Sequence, residues 1–176
     1  MSKANVFDFS KWFLDNNLDT PRNTFKGNMK LQKLLFFAQL ISLAKNNKLL
    51  FEENFCAFEN GMVLEDVRLK YRNNLEELLG YSSAKLSDEQ LQVLELTKNI
   101  YGNEDADALS NMSHQFDYWK KYFENSNGQN NYKNKDKAKV PNDELKKDLD
   151  NIKDVLYAYE VMNTSEYKNK LEEIDY

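Results

Sequence analysis

The sequence holds one cysteine, one histidine, two prolines and five glycines among 176 residues, and each scarcity removes a class of chemistry. A lone thiol, Cys56, rules out an internal disulfide and a thiolate-rich zinc site, a usage natural in a reducing cytosol. The lone imidazole, His114, leaves no histidine-rich metal site and a single candidate base. There is no Walker loop, no Rossmann glycine pattern, no HExxH and no cysteine pair, so the familiar nucleotide, zinc and redox motifs find no support. No cofactor and no metal are expected.

Long hydrophobic runs are missing as well. The longest, LLFFAQLISLA at 34–44, is interrupted by Gln39 and Ser42 and falls short of the roughly 20 residues that span a bilayer. The opening MSKANVFDFSKWFLDNN lacks an uninterrupted apolar core, so neither a signal nor an anchor is expected and cytoplasm is the expected location. Neither sign of charge dominates. The formal net charge of -5 argues against a partner made of nucleic-acid phosphates.

What the chain does contain is helical periodicity. Eleven Phe and ten Tyr supply enough apolar bulk for one core, and the length suits a single domain over 1–176. Val6, Phe9, Trp12 and Phe13 predict a short amphipathic helix within 4–17 that cannot continue past Pro21. From Lys30 to Asn46 apolar residues occupy every face, which predicts a central helix contacted on most sides. The segment 55–64 breaks the helical stripe, and Asn60-Gly61 suits a tight turn. Phe55–Phe58 reads as a strand, and Met62–Leu64 reads either as its return or as the start of a helix.

A helix over 63–79 ends at Gly80, and Ser87-Asp88-Glu89-Gln90 has the form of a capping box opening a helix to Tyr101. A brief helix over 104–111 follows, and Ser113 is positioned to cap another one carrying Phe116, Trp119, Tyr122 and Phe123. Residues 125–140, with alternating Lys133, Lys135, Lys137 and Lys139, are almost devoid of apolar side chains and predict a mobile loop. Leu145, Leu149, Ile152, Leu156 and Tyr159 then predict one C-terminal helix over about 141–172. The expected fold is mainly α, a compact helical domain with a core at about 4–123 and at most a small β-hairpin near 55–64.

His114 and Asp117 would lie on neighbouring turns if their segment were one helix, the spacing of a base and its orienting acid. Ser113 is adjacent to His114 in sequence, so its side chain diverges, and Cys56 has no motif around it. A half-buried ring with one satisfied hydrogen bond is the stronger reading of His114, and no enzyme is expected. Glu52-Glu53, Glu65-Asp66 and Glu104-Asp105-Asp107 read as solvated faces or as favourable charges in a first helical turn.

Three blocks in order carry a resemblance. MKLQKLLFFAQLISLA at 29–44 is similar to the opening LQKLLYFAQ helix of the Panacea, or SocA-like, domain family. AFENGMV at 57–63 resembles its A-x-x-x-G-P-V segment with Met62 in place of proline, and LSNMSHQFDYW at 109–119 resembles its L-S-x-x-[TS]-H block followed by tryptophan. The resemblance implies an antitoxin that binds and neutralises a cognate toxin without turnover. One branch of the family delivers its toxin to an ATP-dependent protease, so a protease complex is the partner in the alternative reading. A homo-oligomer stays open. Gly61, Val63, His114 and Trp119 are the residues the resemblance singles out, as partner contacts or as shapers of the surface. Tyr118, Tyr122 and Tyr132 are further candidates for exposed interface anchors.

Overall fold

A computed structural model of the protein describes residues 3–128 and 134–174. Tyr132 and Lys133, singled out above, lie outside the described residues. Helix α1 (Val6–Asp15) starts at Asn5, whose side chain accepts from the Phe7 and Asp8 amides while Asp8 returns a bond to the Asn5 amide. Helix α2 (Phe25–Asn46) starts one turn earlier than its apolar pattern indicates, because Thr24 caps it through the Gly27 amide. It stops at Asn47, held in a left-handed conformation at φ 53°.

Every residue of α2 from Met29 to Leu43 is buried, including Lys30, Gln32, Lys33, Gln39 and Ser42. Burying such groups is costly unless each finds a partner. Here each reaches backbone outside the helix. Lys30 Nζ donates to the Gly102 carbonyl at 2.7 Å, and Ser42 Oγ donates to the Lys48 carbonyl at 2.7 Å. Gln39 holds an otherwise irregular segment from both sides, donating to the Phe51 carbonyl and accepting from the Leu50 amide, each at 2.8 Å. The polar residues of the central helix thus stand in for the backbone partners that the loops around it lack.

The hairpin is present. Strand β1 (Cys56–Phe58) pairs antiparallel with β2 (Gly61–Val63), Phe58 opposite Gly61. The two turn residues are therefore Glu59 and Asn60, with Gly61 opening the return strand instead of completing the turn. Helix α3 (Glu65–Asn73) begins directly afterwards. The single helix predicted over 63–79 is two, because Asn74 leaves helical geometry and caps α4 (Leu75–Leu79) through the Glu77 amide. Helix α5 (Asp88–Tyr101) carries the predicted Ser87/Gln90 capping box in both directions.

Helices α6 (Ala106–Ser113) and α7 (Asp117–Asn125) follow. Ser113 caps neither: its hydroxyl donates back to the Ser110 carbonyl, and Phe116 occupies the N-cap of α7 without a side-chain bond. Helices α1, α3, α5, α6 and β2 all pack on α2.

The stretch predicted as a mobile loop is structured on its far side. Helix α8 (Lys135–Ala138) leads to an isolated bridge between Lys139 and Cys56, and the Val140 amide donates to the Phe55 carbonyl at 2.8 Å. Its only two apolar side chains past Tyr132, Ala138 and Val140, are both fully buried, which anchors a segment whose average polarity suggests otherwise. The single C-terminal helix is likewise three: α9 (Asn142–Lys146), α10 (Asp150–Met162) and α11 (Ser165–Ile174). Thr164 breaks the last pair by accepting from the Tyr167 amide. Leu145 and Ile152 bury into the core, whereas α11 buries nothing and packs on α10. No described helix is long and apolar enough to cross a membrane.

Candidate functional site

Two paired strands of three residues cannot hold themselves together in water. The hairpin at 56–63 is instead gripped by side chains from three helices. From α7, Trp119 Nε1 donates to the Phe58 carbonyl at 2.8 Å. From the end of α6, the His114 ring hydrogen-bonds the Glu59 backbone, and Ser110 Oγ donates to the Asn60 carbonyl at 2.8 Å. From α2, Lys33 Nζ donates to the Met62 carbonyl at 2.9 Å and Gln32 Oε1 accepts from the Leu64 amide at 2.9 Å. Five backbone positions between 58 and 64 are tied down by five different side chains.

Gly61 sits where these grips converge. Its φ of +104° is a conformation that L side chains rarely adopt, and a Cβ there would lie 2.1 Å from Ser113 Oγ and 2.6 Å from Lys33 Cε. Val63, two residues further along the same strand, packs in a small cluster with Cys56, Phe58 and Ala138. The three sequence blocks are thus one object: the first supplies Gln32 and Lys33, the second is the hairpin, and the third supplies Ser110, Ser113, His114 and Trp119.

The electrostatics follow from burial. Lys33 is completely buried, Met62 is its one hydrogen-bond acceptor among the described residues, and desolvation pulls its ammonium down to about 7. His114 is shifted below its ordinary value, chiefly by burial, against which the Glu59 backbone bond acts in the opposite sense, with Lys33 adding a small repulsion. Its Nε2 is buried with no hydrogen-bond partner among the described residues. Burial pushes the Cys56 thiol up to about 11, so it is a poor nucleophile at neutral pH.

His114 stacks on Trp119 with centroids 3.9 Å apart, and Trp119 stacks in turn on Phe123 at 4.9 Å. Asp117 is not brought to it. His114 closes α6 and Asp117 opens α7, and no hydrogen bond or ion pair joins them among the described residues. Tyr118, expected as an exposed anchor, is buried and stacks on Phe116 at 5.2 Å; Tyr122 is half-buried against the core. Gln32, Lys33 and Ser110 escape a reading by periodicity because polar residues at helical spacing look like a solvent face. The available signal is that they interrupt a helix whose apolar residues already cover every side.

The stack and the grip make separable contributions. Trp119→Phe keeps an aromatic ring between His114 and Phe123 but removes the indole donor from the Phe58 carbonyl, so a loss of about 1 to 2 kcal/mol is expected in urea denaturation. Trp119→Ala removes both and loses about 3 kcal/mol or more. His114→Phe tests the ring's charge. With its folded pKa below 6.5, neutral His114 contributes stability that is lost as pH falls through and below that value, so the variant's stability declines less steeply in mild acid than the wild type's.

A protein-family model described as "Antitoxin SocA-like, Panacea domain" matches residues 31–120, just over half of the chain. The matched span contains every side chain that grips the hairpin. No curated protein and no solved structure matches the chain.

Proposed function

We propose that this chain, which belongs to the antitoxin SocA-like, Panacea domain family, is a protein-binding antitoxin that neutralises a cognate toxin by direct contact and without turnover. The family match carries the reading. The geometry supports it in a specific way: the residues that distinguish the matched blocks are used on the protein's own backbone, in the grip on 58–64. Gly61, Val63, His114 and Trp119 then act as shapers of the domain, and the toxin is met by other side chains.

Large apolar groups left in water supply such contacts. Phe25 is exposed at the start of α2, and Tyr157, Val161, Met162, Leu171 and Ile174 are exposed along α10 and α11. The test is co-expression with the product of the adjacent reading frame. Growth arrest by that product alone, relieved when this chain is present, is the expected result, together with co-purification of the pair. No arrest, or no relief, sinks the proposal. The toxin's lifetime separates sequestration from delivery to a protease: a sequestered toxin is protected, a delivered one disappears faster. We expect protection.

A further inference from the structure

A cavity of about 530 Å³ opens beside the start of α2, within the range of small-molecule sites. Its charged lining is all of one sign: Lys33, Arg68 and Arg72, with no carboxylate. Arg68 is held by Glu65 through two bonds of 2.8 Å. Arg72 makes no ion pair among the described residues, and the buried Lys33 amine, only part-charged at neutral pH, has the Met62 carbonyl as its one acceptor among them. The first turn of α2 has no acidic residue, so the positive end of a 22-residue helix adds to the same field. Such a field draws an anion into the cavity.

The rest of the lining is suited to an uncharged planar body. Phe25 stands at the rim with 68% of its surface exposed, and Phe58 and Met29 provide apolar wall. Asn23 and Asn60 also line the cavity, and their side-chain amides make no hydrogen bond among the described residues, which leaves donors and acceptors for a ligand's edge. A free inorganic anion would leave most of the volume and the aromatic rim unused, and the chain's net charge of -5 opposes a nucleic-acid polymer.

We propose that this cavity binds a mononucleoside phosphate, its phosphate drawn to Arg72 and its base set against Phe25. The inference does not rest on the antitoxin reading, and its test uses no toxin. Isothermal titration of the full chain with AMP, GMP, CMP and UMP is compared with inorganic phosphate and adenosine. At least one mononucleotide is expected to saturate the protein below about 1 mM, with phosphate and adenosine each weaker by about tenfold or more. Arg72→Ala, on an exposed side chain, is expected to weaken that nucleotide by about tenfold with an unchanged thermal midpoint, and Phe25→Ala by several-fold. The proposal is overturned if no mononucleotide saturates, if phosphate alone binds as tightly, or if neither substitution changes the affinity.

Discussion

Gly61→Ala is expected to destabilise the protein by at least about 3 kcal/mol, enough to unfold a marginal domain near physiological temperature. Two independent causes add. Holding a non-glycine residue at φ +104° costs about 1 to 3 kcal/mol by itself. The new methyl group must also share space with Ser113 Oγ at 2.1 Å and Lys33 Cε at 2.6 Å, neither of which can move without releasing a hydrogen bond. Urea denaturation of the purified variant reads the total.

A second variant separates the causes. Ser113→Ala removes the closer of the two atoms, so Gly61→Ala combined with Ser113→Ala should recover part of the loss while remaining well below the wild type. A Gly61→Ala midpoint equal to the wild type's would show that the hairpin is not held in the way described. Full recovery in the double variant would assign the whole effect to sterics and none to the backbone. Because Gly61 is buried within the grip, the toxin rescue proposed above should fall in proportion to the folded fraction and no further.

How much of this was legible beforehand depends on what kind of signal each residue leaves. The helix over 88–101 could be read closely because its capping box is a local motif with a local cause. The hairpin was legible as a break in periodicity, but Asn60-Gly61 suggested a turn pair, whereas pairing of Phe58 with Gly61 moves the turn to Glu59-Asn60. Gly61's requirement comes from Ser113 and Lys33, residues remote in sequence. The segment 134–140 misled for a related reason: average polarity describes a window, while Ala138 and Val140 are single contacts that decide where the chain docks. Tyr118 carries a hydroxyl usually read as a mark of the surface, yet it is buried with that hydroxyl unpartnered among the described residues.

Lys33→Met should leave the protein at least as stable at neutral pH and remove a rise in stability that the wild type shows in mild alkali. An unfolded lysine titrates near 10.5, whereas burial brings the folded group to about 7, so between these values the unfolded chain binds more protons than the native one. Stability therefore increases as pH rises through this window, and below it the full penalty of a buried charge persists. From pH 7 to 8.5 the expected gain is on the order of 1 to 2 kcal/mol. Above that range the thiol of Cys56 and the hydroxyls of Tyr71, Tyr101 and Tyr118, all raised by burial, act in the opposite direction, since the unfolded chain loses those protons first. His114, which feels the Lys33 charge, is held below its ordinary value by burial and so titrates mainly below this window.

The methionine matches the length of the lysine stem and fills the same space. It removes a charge penalty on the order of 4 kcal/mol at neutral pH and leaves the Met62 carbonyl without its donor, which costs about 1 to 3 kcal/mol. Denaturation midpoints at pH 7 and 8.5 check both signs. A wild-type slope that survives in Lys33→Met would mean the ammonium is not the group responsible. A variant much less stable at pH 7 would mean the grip on Met62 outweighs the buried charge. The expected pattern, a flatter and higher curve, makes Lys33 a residue whose presence costs stability.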